Sequence, residues 1–268
     1  MNCALLAREA GYDGVEIMGS EGYLLNQFLA PRTNKRTDAW GGTPEKRRRM
    51  PVEIVRRTRA ALGPDFIIDY RMSMADYVDG GQSWDEIVAL AIEVEAAGAT
   101  LINSGIGWHE ARVPTIVTSV PRAAFASLAG RLKAAVKVPV VVNGEIWNVQ
   151  DAQAAVAQSG CHTLMLGRGI VARPALARSI LAAMGTAPDS IAQPGEDWTW
   201  QDLGPLMHAF WQVASTRLEQ KQQAGRVKQW LNLLRRHYPE AQVAFDEMRT
   251  LVKPSDVDAW IRSRVPQT

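Results

Sequence analysis

Five short runs rich in aliphatic residues recur along the chain: YDGVEIMG (12–19), DFIIDYRMS (65–73), ATLINSGIG (99–107), VPVVVNGEI (138–146) and HTLMLGRG (162–169). Each has strand length and is bounded by glycine, proline or polar residues. Between them, residues 44–62, 83–98, 121–136 and 149–160 carry apolar side chains near the helical period, and several of these stretches open on Pro or Ser or close on Gly. Strands that are almost continuously apolar, joined by helices, predict a parallel sheet covered by helices. The alternation stops near residue 185, where AAMGTAPDSIAQPGEDW reads as a linker, and residues 199–268 show helical patterns alone. The predicted organisation is an α/β unit over 1–185, a linker over 186–198 and a small all-helical domain over 199–268.

Polar side chains collect where these runs end. Glu21 and Tyr23 follow the first, Arg71 lies in the second, His109 follows the third, Asn143 and Glu145 the fourth, and Arg168 the fifth. In a (β/α)8 barrel that rim carries the active site, and the loops after its last two strands often hold a phosphate. Asn143-Gly144-Glu145 and Gly167-Arg168 suit such a role, because glycine lets backbone N–H groups approach oxygen while arginine adds charge. Tight turns and a helix cap explain the same glycines. The segment SEGYLLNQFLAPRTNKRTDAWGG (20–42) is too polar to be core and presents Glu21 and Tyr23 directly behind the first strand.

Composition narrows the function classes. With 47% hydrophobic and 22% charged residues, 268 residues make an ordinary globular chain. Two cysteines and four histidines give no CxxC pair and no zinc or iron–sulfur spacing, so no metal site is expected. A net charge of +2 does not by itself call for a nucleic-acid partner. No signal peptide or long apolar segment is read, and a reducing cytoplasm is the expected setting.

Several of these stretches resemble known families. GYDGVEIMGSEGYLLNQFL, NKRTDAWGG, DFIIDYRMSM and ATLINSGIGWHEARVPTI, within residues 1–137, resemble the flavin barrel of bacterial 2,4-dienoyl-CoA reductase, in the old yellow enzyme group. VPVVVNGEIWNVQDAQ, SGCHTLMLGRG and RVKQWLNLLRRHYPEA, from residue 138 onward, resemble the tRNA-dihydrouridine synthases of the C subfamily. Together they look like a chimera or fused fragment of two FMN-barrel families. The resemblance implies a partial barrel whose strands correspond to the fourth to eighth of the full fold. Open edges of such a barrel, with unpaired N–H and C=O groups, invite self-association.

The reductase resemblance implies FMN as cofactor and NAD(P)H as external electron donor, with reduction of an activated C=C bond in an enoyl or dienoyl thioester. It makes Tyr23 the proton donor, Glu21 its acidic neighbour and His109 a second catalytic group, and sets Arg71 at the flavin edge where charge gathers on reduction. Asn143, Gly144, Glu145, Gly167 and Arg168 match FMN-contacting loops of the synthases, and Arg32 lies where a CoA phosphate would dock. The synthase resemblance implies tRNA as partner through Arg226, Lys228, Arg235 and Arg236, with Val227, Trp230, Leu231 and Leu234 as the apolar stripe of that helix. The synthase's catalytic cysteine has no counterpart, since Cys3 stands in a helix. An inactive fragment is the third reading.

Plainer roles stand beside these. Tyr23 can cap the core at a strand end, His109 can be a loop residue, and Trp40 can pack a loop. Arg47, Arg48 and Arg49 read as a solvated helix face, and Cys161 as a buried structural thiol.

Overall fold

The computed structural model describes residues 1–108, 125–186 and 198–265. Contacts divide the chain into two compact units, residues 1–146 with 151–165, and residues 147–150 with 166–268.

In the first unit, α1 (Asn2–Glu9) leads into β1 (Gly14–Gly19), α2 (Leu24–Leu29), α3 (Pro44–Leu62), β2 (Ile67–Ser73), α4 (Trp84–Ala96) and β3 (Leu101–Gly105). After them come α5 (Ala126–Lys133), β4 (Val140–Val142), α6 (Val149–Ser159) and β5 (Thr163–Leu164). The strands form one parallel sheet in the order β1-β2-β3-β4-β5, so the parallel sheet expected from the alternation and the partial barrel implied by the resemblance are present, with β1 and β5 as edges. Parallel neighbours have to be joined by crossovers, and the helices supply them.

The pleat sends alternate side chains to opposite faces. One face carries Ile68, Tyr70, Met72, Ile102, Val140 and Val142, all buried, together with the helix core residues Val55, Ile87, Leu90, Val94, Ala129 and Leu132. Full burial of an aliphatic side chain stabilises by about 1.5–3 kcal/mol, so this layer holds the unit together. Gly19 is required on it: a Cβ there would meet the Tyr70 hydroxyl at 2.2 Å. The opposite face carries Glu16, Asp69, Arg71 and Asn103.

Local signals place the helices. Thr43 caps α3 by accepting from the Lys46 N–H, Pro44 occupies its first turn, and Gly63, at φ 84°, ends it. Ser83 and Glu86 form a reciprocal capping box on α4.

Two expectations need correction. Segment 20–42 is not excluded from the core, because α2 buries Leu25, Asn26 and Leu29. Nor is Arg47-Arg48-Arg49 a solvated face: Arg47 and Arg48 are 6% and 7% exposed, and Arg49 alone is exposed. Arg47 pairs with Glu86, and Arg48 pairs with Glu93 at 2.8 Å. Arg49 lies over the Trp40 ring, 5.9 Å from its centroid. Cys161 is buried, as read from the sequence, and Cys3 is exposed.

The second unit is helical: α7 (Arg168–Ala172), α8 (Leu176–Ala183), α9 (Trp200–Arg217), α10 (Gln220–Leu234), α11 (Pro239–Met248) and α12 (Pro254–Arg264). Among the described residues from 198 onward there is no strand. Val227, Leu231 and Leu234 of α10 are fully buried against Leu203, Met207, Met248, Val257 and Ile261, and Trp230 packs on that core from its margin. Residues 187–197 of the expected linker lie outside the described residues.

Candidate active site

The turn after β1 is built by hydrogen bonds to its backbone. Glu21, at φ 63°, and Gly22, at φ 81°, both sit in the left-handed region. A non-glycine residue there costs about 1–2 kcal/mol, so the turn needs external support. It receives that support from Ser73 Oγ, which accepts from the Glu21 N–H at 2.9 Å, and from Asn26 Oδ1, which accepts from the Gly22 N–H at 2.7 Å. Gln27 donates to the Gly22 carbonyl at 2.7 Å. Asn26 in turn donates to Asp76 at 3.2 Å, and burial pushes the Asp76 carboxyl above the usual carboxylate range.

This turn aims Glu21 at the polar face of the sheet. Its Oε1 accepts from Arg71 Nη2 at 2.6 Å and Nε at 3.2 Å, and both side chains are mostly sheltered. The carboxylate that sequence sets two residues from Tyr23 is thus engaged by the guanidinium. Arg71 Nη1 reaches Met165 Sδ at 3.4 Å. Tyr23 is the N-cap residue of α2 and 46% exposed, which is too open for a core cap and suits a group that meets a ligand at the rim.

Beyond Arg71 the polar face continues. Arg71 stands beside Asn103 in the β2–β3 register, and Glu16 beside Asp69 in the β1–β2 register. Asn103 Nδ2 donates to Glu16 Oε2 at 3.0 Å, to Asp69 Oδ2 at 3.3 Å and to Met165 Sδ at 3.2 Å. Asn143 Nδ2 donates to Asn103 Oδ1 at 3.1 Å and to the Ser104 carbonyl. Glu16, Asp69 and Asn103 were missed in the sequence, although each occupies the same strand face as a polar rim residue.

Burial, then the neighbouring Glu16 charge, raises Asp69 to about 7, and its Oδ1 has no partner among the described residues. An acid with a raised folded-state pKa binds more protons folded than unfolded. Its contribution to stability is complete below the ordinary carboxyl pKa of about 4 and is lost as pH rises to about 7. Asp69→Asn is therefore expected to melt closer to, or above, the parent as pH climbs across that window, with a shallower dependence of Tm on pH. Parallel Tm curves for the two proteins would remove this role.

Arg32 is exposed after α2, with its N–H on the Gly80 carbonyl at 2.7 Å. Asn143 is buried, Gly144 sits at φ 107° and Glu145 at φ 53°. A Cβ on Gly144 would meet the Phe125 ring at 2.5 Å, so that glycine makes room for packing. In the second unit, Gly167 precedes α7 and a Cβ there would meet nothing among the described residues, while Arg168 lies 5.7 Å from the centre of the Trp147 ring. His109 falls outside the described residues. Arg226 bonds Gln229 at 3.3 Å, and Arg235 lies 4.4 Å from the Phe245 ring centre.

Among the described residues, no group of three or more His, Cys, Asp or Glu is arranged to hold a metal, and no helix is long and apolar enough to cross a membrane.

Comparison with known proteins then gives the fold a family. The model of the NADH:flavin oxidoreductase / NADH oxidase family matches residues 1–185. The chain belongs to that family. A metal reductase of Desulforamulus reducens is 39% identical over 186 residues, which is 69% of this chain and 27% of that protein. A tRNA-dihydrouridine(16) synthase of Pseudomonas syringae pv. tomato is 44% identical over 122 residues, 44% of this chain and 36% of that protein. Among solved structures, a 2-naphthoyl-CoA reductase in complex with 2-naphthoyl-CoA superposes with a TM-score of 0.62 at 30% identity, covering 70% of this chain and 28% of that one. The chain thus spans about a third or less of these relatives, and its mixed resemblance to flavin reductases and to dihydrouridine synthases holds.

For a member of this family the donor chemistry fits FMN. In the first unit a sheltered guanidinium and two carboxamides share one sheet face, which suits the polar edge of a flavin ring.

Proposed function

We propose that this chain is the flavin-handling part of an FMN-dependent oxidoreductase that reduces an activated C=C bond, as in an enoyl or dienoyl thioester, with NAD(P)H as external donor. Bound reduced FMN would supply the hydride. The chain's own residues do the rest. Arg71, with Asn103 and Asn143, holds the polar edge of the ring, and a fixed cation there favours the charge that reduction creates. Asn143, Gly144 and Glu145 serve as flavin contacts after β4, and Gly167 and Arg168 take the phosphate. Tyr23 hands a proton to the substrate carbon from the rim. His109 assists at the thioester, and Arg32 meets a phosphate of the substrate's carrier. Glu21 acts through Arg71, fixing the guanidinium by its two hydrogen bonds.

The observation that carries this reading is the Glu21–Arg71 pair at 2.6 Å, which ties the turn bearing Tyr23 to the one sheltered cation of the described polar sheet face. A second reading is a tRNA-handling flavoprotein, with Arg226, Lys228, Arg235 and Arg236 of the domain over 199–268 on RNA phosphates. The 44% identity with the dihydrouridine synthase favours it. One experiment weighs both: purified protein is titrated with FMN and, separately, with tRNA across a salt series. Visible flavin absorbance that stays with the protein through gel filtration is expected. A protein that stays colourless in excess FMN overturns the first reading, and one that shifts no tRNA at low salt overturns the second.

A further inference from the structure

We propose that the second unit binds a medium-chain carboxylate in an apolar groove between α9 and α10, an inference independent of the flavin reading above. The two helices are joined by Leu218 and Glu219 alone, a connection so short that it makes them antiparallel neighbours. On α9, Phe210, Val213, Ala214 and Arg217 recur at the i, i+3, i+4, i+7 spacing that sets side chains on one stripe. On α10, Arg226, Gln229, Trp230 and Leu233 repeat that spacing. The two stripes, with Val171 of α7, line a groove of about 500 Å³ that lies within the second unit. Such a volume, a largely apolar lining and a few polar groups are the marks of a small-molecule site.

Antiparallel pairing gives the groove a charged end and an apolar end. Arg217 is the last residue of α9 and Arg226 lies in the second turn of α10, so both arginines mark the end nearest the connection. Farther along, the Phe210 and Trp230 rings meet edge to face with 5.1 Å between centroids, and Trp230 Nε1 donates to the Val171 carbonyl at 3.2 Å, so the apolar floor is built before a ligand arrives. About 10 Å of helix separates Arg217 from Phe210. Between them Val213 is 59% exposed, an apolar side chain that gains by being covered. Among the described residues neither arginine has a carboxylate partner, and Arg226 bonds the Gln229 carboxamide at 3.3 Å. A carboxylate head suits these cations, because a guanidinium can bond both of its oxygens, and an aliphatic tail of medium length covers the floor. A nucleic-acid strand fits less well: its further phosphates would lie against the apolar end and lose water without gaining a partner.

The test is isothermal titration calorimetry of the full chain with octanoate below its micelle concentration. Saturable one-to-one uptake is expected, with octanol, which keeps the tail and lacks the charge, about tenfold weaker. Arg217→Gln is expected to weaken octanoate about tenfold and to leave octanol within about twofold. Val213→Glu changes an exposed position on which folding does not depend, sets a like charge on the floor and should weaken octanoate at least as much. A parent that takes up no octanoate overturns the assignment, and so does an octanoate affinity unchanged by Arg217→Gln or by Val213→Glu. A parent that ignores octanoate but shifts tRNA through Arg217 overturns it in favour of RNA, and a dimer in sedimentation that Val213→Glu dissociates overturns it in favour of a second copy. None of these results bears on flavin uptake, which is read separately by its visible absorbance.

Discussion

Tyr23→Phe is expected to lower the turnover of an enoyl or dienoyl thioester by FMN-loaded protein by about 100- to 10,000-fold, the range for losing a positioned general acid. The substitution deletes one oxygen from a side chain that is 46% exposed, so neither the core nor the fold should respond. The backbone of the turn is held independently by Ser73, Asn26 and Gln27, so position 23 stays where it is. Flavin uptake and its reduction by NAD(P)H should match the parent, while reoxidation by the unsaturated substrate slows. Stopped-flow measurement of the two half-reactions separates these steps. Reoxidation at the parent rate would take the proton-donor role away from Tyr23.

The second large effect is on stability. Arg47→Met should destabilise the first unit by about 3–5 kcal/mol, because removing one partner of a buried ion pair leaves the other charge uncompensated. Arg47 is more than an ion-pair partner: Nε donates to the Leu29 carbonyl at 2.7 Å and Nη1 to the Gly42 carbonyl at 3.2 Å. Its removal therefore also leaves the end of α2 and the loop before α3 without a donor. Glu86 closes the capping box of α4 with Oε2 on the Ser83 N–H at 2.9 Å while Oε1 meets Arg47, so one carboxylate starts a helix and neutralises a buried cation. Adding Glu86→Gln to Arg47→Met should restore part of the loss by removing the stranded charge while keeping an acceptor for Ser83. Urea denaturation followed by circular dichroism reads both effects. A single-variant loss below about 1 kcal/mol would show that the pair is no better than an exposed one.

How much of this was legible in the chain depends on how local the cause is. All five strands and α3, over Pro44–Leu62, follow from apolar periodicity and caps within a few residues of each boundary. Helix α2 was missed because it is one short helix amid Asn, Gln and charged residues, and only bonds to the distant Ser73 and Asp76 show that Asn26 is interior. The burial of Arg47 and Arg48 is set by Glu86 and Glu93, which are 39 and 45 residues away, so their triplet of positive charge reads locally as solvated. At the site, Arg71 and Glu21 could be named individually, but their pairing depends on a turn with two left-handed residues that no local pattern announces. Asp69 and Glu16 were overlooked for the opposite reason. They lie inside runs judged by average hydrophobicity, where the alternate-position rule would have set them on the face of Arg71.

Met165 gives the polar face a particular character. Its sulfur is the meeting point for Arg71 Nη1 at 3.4 Å, Asn103 Nδ2 at 3.2 Å and Asn143 Nδ2 at 3.8 Å. A thioether is a feeble acceptor, so these N–H groups surrender little when something better presents itself. An arriving oxygen or ring nitrogen can displace the sulfur, and the flexible methionine can swing aside without leaving a strong bond broken behind it. The face is kept primed by a soft placeholder.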